Sequence, residues 1–238
     1  MIYLIGLGLN EKGISVEGIG ALKKCKKIYL ENYTVDFPYS FETLEKIIGK
    51  KIISADRDFV EDMKVLLNEA KEKNVALLIY GSPLTATTHI SLIEEARRRN
   101  IKYEIIYGAS VFDAIAETGL QIYKFGKITS MPKWQESFKP TSFVKIVKEN
   151  QKVGAHSLIL VDINLDLKNA IRELEESAKK ERLKLGDIII CSRLGTKDKK
   201  IFYGGFNKMR SIEMKKPYCI IIPGKLHFIE EAVLKNLS

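Results

Sequence analysis

Cysteine and histidine are scarce in this chain, with three of each among 238 residues. Cys25, Cys191 and Cys219 are odd in number, far apart and set among apolar neighbours. That excludes a disulfide framework and a four-ligand zinc site, and leaves them as core thiols. His89, His156 and His227 do not pair at i and i+4, and no cysteine or carboxylate beside them completes a zinc pattern, so no metal is expected. Long apolar runs are missing too: none approaches the roughly 18 residues that span a bilayer. The first residues carry neither a basic leader nor a small-residue cleavage site, so a cytoplasmic protein is expected. No Gly-Lys-Ser or Gly-Lys-Thr closes a glycine-rich turn, which excludes a P-loop. Gly6 and Gly8 follow an apolar run, but the third glycine of a dinucleotide fingerprint would fall at Glu11, so NAD and FAD are not expected. No Gly-x-Ser-x-Gly elbow occurs, and hydrolase chemistry lacks support.

What the chain does have is 45% hydrophobic residues and a formal net charge of +9. Such a charge invites nucleic acid. The lysines and arginines are nevertheless scattered, at Lys23-Lys24, Lys26-Lys27, Arg97-Arg98-Arg99, residues 197–200 and Lys215-Lys216, mostly beside acidic or apolar residues. That pattern reads as solvated faces, equally suited to an acidic protein partner, rather than a nucleic-acid groove.

Strand-like runs at residues 2–6, 27–30, 51–54, 75–80 and 103–107 alternate with helix-like stretches. Short connections between alternating elements predict a mainly parallel sheet covered on both faces. Ser40 reads as the N-cap of a helix from Phe41, with Gly49 just past its end. Val60, Met63, Leu66, Leu67 and Ala70 predict one helix over residues 58–73, and Ile90, Ile93 and Ala96 or Arg97 align in another over 88–99. The rhythm changes between Gly108 and Gly126, which places two α/β domains at 1–112 and 113–238. In the second, strands are expected near 127–130, 157–161, 187–191, 200–203 and 218–222, with helices near 142–150, 167–180 and 228–237. The strands around Ile201 and Ile221 have no long helix between them, which predicts a mixed sheet.

The stretch Tyr80-Gly81-Ser82-Pro83-Leu84-Thr85-Ala86-Thr87-Thr88-His89 joins a buried strand to a helix through a turn of small residues. In open α/β sheets ligands bind outside the carboxyl ends of the strands, and Gly81 permits close backbone approach there. Similar turns follow at Gly108-Ala109-Ser110-Val111, Val161-Asp162-Ile163, Arg193-Leu194-Gly195-Thr196 and Pro223-Gly224-Lys225-Leu226-His227. Rich in backbone and poor in acids and bases, they suit a ligand held by main-chain groups that brings its own chemistry. His89 could contact a substrate or orient the turn, while His227 reads as structural.

Gly6-Leu7-Gly8-Leu9, the Gly81-Ser82-Pro83 turn running to Ala86-Thr87-Thr88-His89, and Pro223-Gly224-Lys225-Leu226-His227 together resemble the diphthine synthases of the tetrapyrrole methylase superfamily. Thr118-Gly119-Leu120-Gln121-Ile122-Tyr123-Lys124-Phe125-Gly126, Pro140-Thr141-Ser142 and Leu160-Val161-Asp162-Ile163 fall in that family's order, so the resemblance spans nearly the whole chain. It implies a two-domain α/β fold, with a mainly parallel N-terminal sheet, a mixed C-terminal sheet and helices on both faces. It implies S-adenosylmethionine in the cleft between the domains, S-adenosylhomocysteine as product, and a homodimer. The implied reaction is repeated methylation of the amino group of a 3-carboxy-3-aminopropyl-histidine of translation elongation factor 2, in diphthamide biosynthesis. Superfamily alternatives are a tetrapyrrole or ribosomal RNA as substrate, and a third possibility is a cofactor-sensing or RNA-binding module that has lost catalysis. Carried over motif by motif, the cofactor contacts are Leu9, Ser82, Thr85, Ser110, Val111, Val161, Leu194 and Tyr218. No catalytic acid or base is implied, with His89 the one substrate-side candidate. Ser82 stands where the family usually has Asp, and the stretch between Ile163 and Gly186 is short for the family.

Overall fold

The apolar runs of the first half fold as strands where helices cover both faces. The computed structural model describes residues 1–237, and the chain divides into two units, Met1–Asp113 and Ala114–Ser238. In the first, the chain runs β1 (Ile2–Gly6), α1 (Val16–Lys24), β2 (Lys27–Glu31), α2 (Phe41–Ile48), β3 (Ile53–Ala55), α3 (Arg57–Asp62), α4 (Lys64–Glu72), β4 (Val75–Ile79), α5 (Ile90–Arg98), β5 (Tyr103–Ile106) and α6 (Val111–Ala114). All five strands are parallel, in the order β3-β2-β4-β1-β5. Every residue of β1 and β4 is buried, as expected of central strands covered on both sides. Leu22 of α1 and Leu44 of α2 pack with Tyr3, Ile5 and Leu78 on one face. Leu66 and Leu67 of α4 and Leu92 and Ile93 of α5 pack with Ile2, Leu4 and Leu77 on the other. Each such side chain stabilises the fold by about 1.5–3 kcal/mol.

This strand order positions the site. From β1 the chain crosses β4 to reach β2, whereas from β4 it crosses β1 to reach β5. The turns after β1 and β4 therefore diverge, which is the condition for a crevice at the carboxyl ends of the strands.

Two helical expectations are corrected. Residues 58–73 form two helices, because Met63 takes a left-handed conformation (φ 57°) between them. Asp56 caps the first by accepting from the Phe59 amide. Val60, Leu66, Leu67 and Ala70 still face one core, joined by part of Met63. Periodicity reports which residues face the sheet, and a single left-handed residue costing about 1–2 kcal/mol leaves it intact. In α5 the buried stripe is Leu92, Ile93 and Ala96, while Ile90 is 56% exposed. By contrast α2 starts and stops where its caps predict: Ser40 accepts from the Thr43 amide and Gly49 is left-handed.

The second unit contains β6 (Thr129–Met131), α7 (Ser142–Lys152), β7 (Ser157–Val161), α8 (Leu167–Lys180), β8 (Ile188–Ser192), β9 (Lys200–Gly204), α9 (Phe206–Met209), β10 (Tyr218–Ile222) and α10 (Phe228–Lys235). Its sheet is mixed, in the order β6-β7-β10-β8-β9, with β6 parallel to β7 and the other pairs antiparallel. The strands around Ile201 and Ile221 are consecutive in sequence but not neighbours, since β8 lies between them and pairs with both. Phe143 and Val147 of α7 and Ile171 and Leu174 of α8 pack with Ile159, Ile188 and Ile220. All three cysteines are buried and free, and Cys191 sits directly opposite Cys219. The hydrogen bond with Cys219, and then burial, push the Cys191 thiol well above the ordinary thiol range.

Segments 118–126 and 223–227, which help carry the resemblance, meet in a buried network. Glu230 Oε1 accepts from the Gln121 amide at 2.9 Å and from His156 Nε2 at 3.1 Å. Its Oε2 accepts from the His227 amide at 2.7 Å and from Lys124 Nζ. The Gly224 amide donates to His156 Nδ1 at 2.9 Å, which fixes the ring hydrogen on Nε2. Burial lowers the His156 pKa, in keeping with that neutral ring. His227 caps α10, accepting from the Ile229 amide.

Candidate functional site

Three turns at the carboxyl ends of β1, β4 and β5 meet backbone against backbone. Gly8 N–H donates to Gly81 O at 3.2 Å, and Gly81 N–H returns a bond to Gly8 O at 3.0 Å. A Cβ placed on Gly6 would lie 2.6 Å from both Gly108 N and Gly81 O. One placed on Gly108 would lie 2.6 Å from Gly81 O and 2.7 Å from Gly8 N. No side chain fits at either position, so the glycines are required by close approach. Tyr80 adds a brace, its hydroxyl donating to Leu9 O at 3.0 Å.

Beside this seam an open cavity of about 390 Å³ is lined by Ser82, Thr85, Tyr107, Gly108, Ser110 and Phe112, together with Asp113. The volume suits a small-molecule site. Thr85 N–H closes its turn on Ser82 O at 3.2 Å. Ser110 Oγ accepts from the Phe112 amide at 3.2 Å, and the Asp113 carboxylate accepts from the Ser110 amide at 2.7 Å. The one acid among these lining residues is thus turned toward its own helix start. Apart from Asp113, the lining is backbone, hydroxyl and aromatic surface, fitted to hold a ligand by shape and main-chain groups.

Of the residues named from sequence, Ser82, Thr85 and Ser110 line this cavity together. Val111 follows Ser110 as the first residue of α6, and Leu9 is buried on the neighbouring turn with its carbonyl taken by Tyr80. Val161, Leu194 and Tyr218 belong to the second unit. Tyr218 pairs with Ser192 and Cys219 with Leu160, so the end of β7, the start of β10 and the residues after β8 share one end of that sheet. There the Tyr218 hydroxyl donates to Leu165 O at 2.9 Å.

His89 is 2% exposed, its ring buried between Pro83 and Glu31. Nδ1 lies 3.0 Å from Pro83 O, and Nε2 lies 2.8 Å from Glu31 Oε2. Between contacting a substrate and orienting the turn, this placement is the orienting one. Glu31, Tyr107 and Phe112 are residues that sequence reasoning misses. Tyr107 falls at the end of an expected strand, and Glu31 gives no signal beyond being an acid at the end of an apolar run.

The chain belongs to the tetrapyrrole (corrin/porphyrin) methylases, whose family model matches residues 1–208. Within that class it is similar to the diphthine synthase of Methanococcus maripaludis, 36% identical over 100% of this chain and 98% of the relative. It is also similar to the human diphthine methyl ester synthase, 32% identical over 100% of this chain and 95% of the relative. A crystal structure of diphthine synthase superposes with a TM-score of 0.91 at 29% identity, covering 100% of this chain and 95% of the other. Among the described residues no group of acids, histidines or cysteines could hold a metal ion, and no helix is long and apolar enough to cross a membrane.

Proposed function

We propose that this chain is a diphthine synthase, an S-adenosylmethionine-dependent methyltransferase that repeatedly methylates the amino group of the 3-carboxy-3-aminopropyl-histidine of translation elongation factor 2. The observation that carries the proposal is the backbone-lined cavity at the carboxyl ends of β4 and β5, where Ser82, Thr85 and Ser110 meet beside the Gly6, Gly81 and Gly108 seam. Full-length similarity to proteins named diphthine synthase supports the substrate. S-adenosylmethionine, when bound, supplies a methyl group already activated on a sulfonium. The protein's share is to hold, align and exclude water, and alignment of this kind is worth roughly 7–11 kcal/mol. Ser82, Thr85 and the amides around Gly108 would hold the donor, with Leu9 and Val111 beside them. Val161, Leu194 and Tyr218 are proposed as the second unit's contribution. The chain is proposed to act in the cytoplasm as a homodimer, which light scattering tests directly.

The test is incubation with methyl-labelled S-adenosylmethionine and elongation factor 2 bearing the unmethylated side chain. Label on that protein, lost when the target histidine is replaced, is the expected result. No label there, or label on RNA or a corrinoid, rejects it.

Ser82 adds a prediction of its own. A serine at the cavity wall hydrogen-bonds but cannot offset a sulfonium charge. Two unit charges 4 Å apart attract by about 4 kcal/mol at an effective dielectric of 20, and an open cavity screens much of this. Ser82→Asp is therefore expected to tighten donor binding roughly tenfold, about 1.4 kcal/mol, read by calorimetry. The gain should shrink with added salt.

A further inference from the structure

The geometry points to Glu31 and His89 as positioning residues for the donor turn, acting on it through the carbonyl of Pro83. This inference rests on the proposal that residues 82–85 hold the methyl donor.

His89 occupies the N-cap of α5 but makes no side-chain capping bond. Its ring instead turns back beneath the preceding turn. Pro83 O accepts from Thr87 Oγ1 at 2.8 Å and faces His89 Nδ1 at 3.0 Å. Two contacts on one carbonyl fix the peptide plane between Pro83 and Leu84. That peptide lies inside the turn closed by Thr85 N–H on Ser82 O, and Ser82 and Thr85 both line the cavity.

On the far side of the ring stands Glu31, the last residue of β2, 1% exposed. Its Oε2 lies 2.8 Å from His89 Nε2 but off the line of a good hydrogen bond, and neither carboxylate oxygen has another hydrogen-bond partner. The buried Tyr33 hydroxyl is likewise without a hydrogen bond. Burial and Glu31 push that phenol up to about 12, so it remains neutral. A buried carboxylate so sparsely satisfied is a poor stabilising device. The Glu31 carboxylate lies against the ring that holds the donor turn.

The proton inventory explains why an acid serves here. Pro83 O can only accept, so His89 must carry hydrogen on Nδ1. The 2.8 Å contact between Nε2 and Glu31 then calls for one further hydrogen, on the ring or on the carboxyl group. With that hydrogen on either partner Nδ1 keeps its own: a carboxyl O–H donates to Nε2, and a carboxylate pairs with a ring that carries hydrogen on both nitrogens. Without Glu31 the ring is free to carry its hydrogen on Nε2 and release the turn.

The experiment measures donor affinity of the full chain by calorimetry with S-adenosylmethionine for the unaltered protein and for Glu31→Ala, Glu31→Gln and Thr87→Val. Glu31→Ala is expected to weaken donor binding roughly tenfold or more, the size common for such outer partners. Turnover at saturating donor and the KM for the protein substrate should change far less. Glu31→Gln should recover most of the loss, because its amide donates to Nε2 and keeps hydrogen on Nδ1. Nitrogen-15 spectra should show His89 protonated at Nδ1 in the unaltered chain and in Glu31→Gln, but not in Glu31→Ala. A lower melting temperature with unchanged donor affinity would overturn the inference, as would Glu31→Gln binding no better than Glu31→Ala. If Glu31→Ala does not fold, Thr87→Val carries the test, and unchanged affinity there is equally decisive against it. Failure of the unaltered chain to bind donor rejects the donor proposal itself and this inference with it, an outcome distinct from a loss confined to the variants.

Discussion

Replacing Glu230 by alanine is expected to lower the melting temperature by roughly 10–20 °C, because it leaves a buried polar network without its centre. Removing one partner of a buried charge pair costs about 3–5 kcal/mol, and domains of this size lose a few degrees for each kcal/mol. Gln121, Lys124, His156 and His227 all donate to this one carboxylate. Burial pushes the Glu230 carboxyl up, but Lys124, the two amides and His156 outweigh that and hold it at about 2. An unfolded glutamate titrates near 4.3. Glu230 therefore contributes fully above about pH 4.3, and its contribution is lost as pH falls toward 2. His156 adds an earlier stage: its pKa is lowered in the fold while an unfolded histidine titrates near 6.5, so stability declines as pH drops below about 6.5. Denaturant unfolding across pH should show both stages. Glu230→Ala should remove the lower one, and an unchanged acid profile would contradict this account of the network.

Gly108→Ala should abolish donor binding, with affinity reduced at least about 100-fold, while the chain still folds at a cost of about 1–3 kcal/mol. The added methyl would meet the Gly81 carbonyl at 2.6 Å and the Gly8 amide at 2.7 Å. Both contacts are main chain, so relief requires moving the turns that exchange the Gly8 and Gly81 hydrogen bonds. A displacement of that kind carries the residue 82–85 turn and the Ser110 turn with it. Gly20→Ala is the control: a Cβ there has nothing within 4 Å, and it lies inside α1. That change should stabilise the protein by about 0.5–1 kcal/mol and leave donor affinity as it was. Calorimetry with S-adenosylmethionine on both variants checks the pair, and Gly108→Ala binding like Gly20→Ala would remove the glycine seam from the site.

The parallel sheet is legible in the sequence because central strands covered on both faces must be apolar throughout, and residues 2–6 and 75–79 are. The cap signals at Ser40 and Gly49 are equally plain, since they are local. What escapes is non-local or unpatterned. Met63 keeps its apolar phase while reversing its backbone, so no periodicity reveals the break. The insertion of β8 between β9 and β10 depends on which strand pairs with which, and neighbouring apolar runs do not specify that. In the site, glycines after apolar runs mark the turns at Gly6, Gly81 and Gly108. By contrast Val161, Leu194 and Tyr218 rest on the resemblance alone, and the Glu31 contact with His89 joins positions far apart in sequence with no shared motif.

The three sequestered thiols amount to a built-in reporter of opening. Cys25 lies in one unit, and Cys191 and Cys219 in the other. Under native conditions an alkylating reagent finds none of them accessible. A brief pulse during partial denaturation, followed by peptide mass mapping, therefore tells which half comes apart first, without any introduced label.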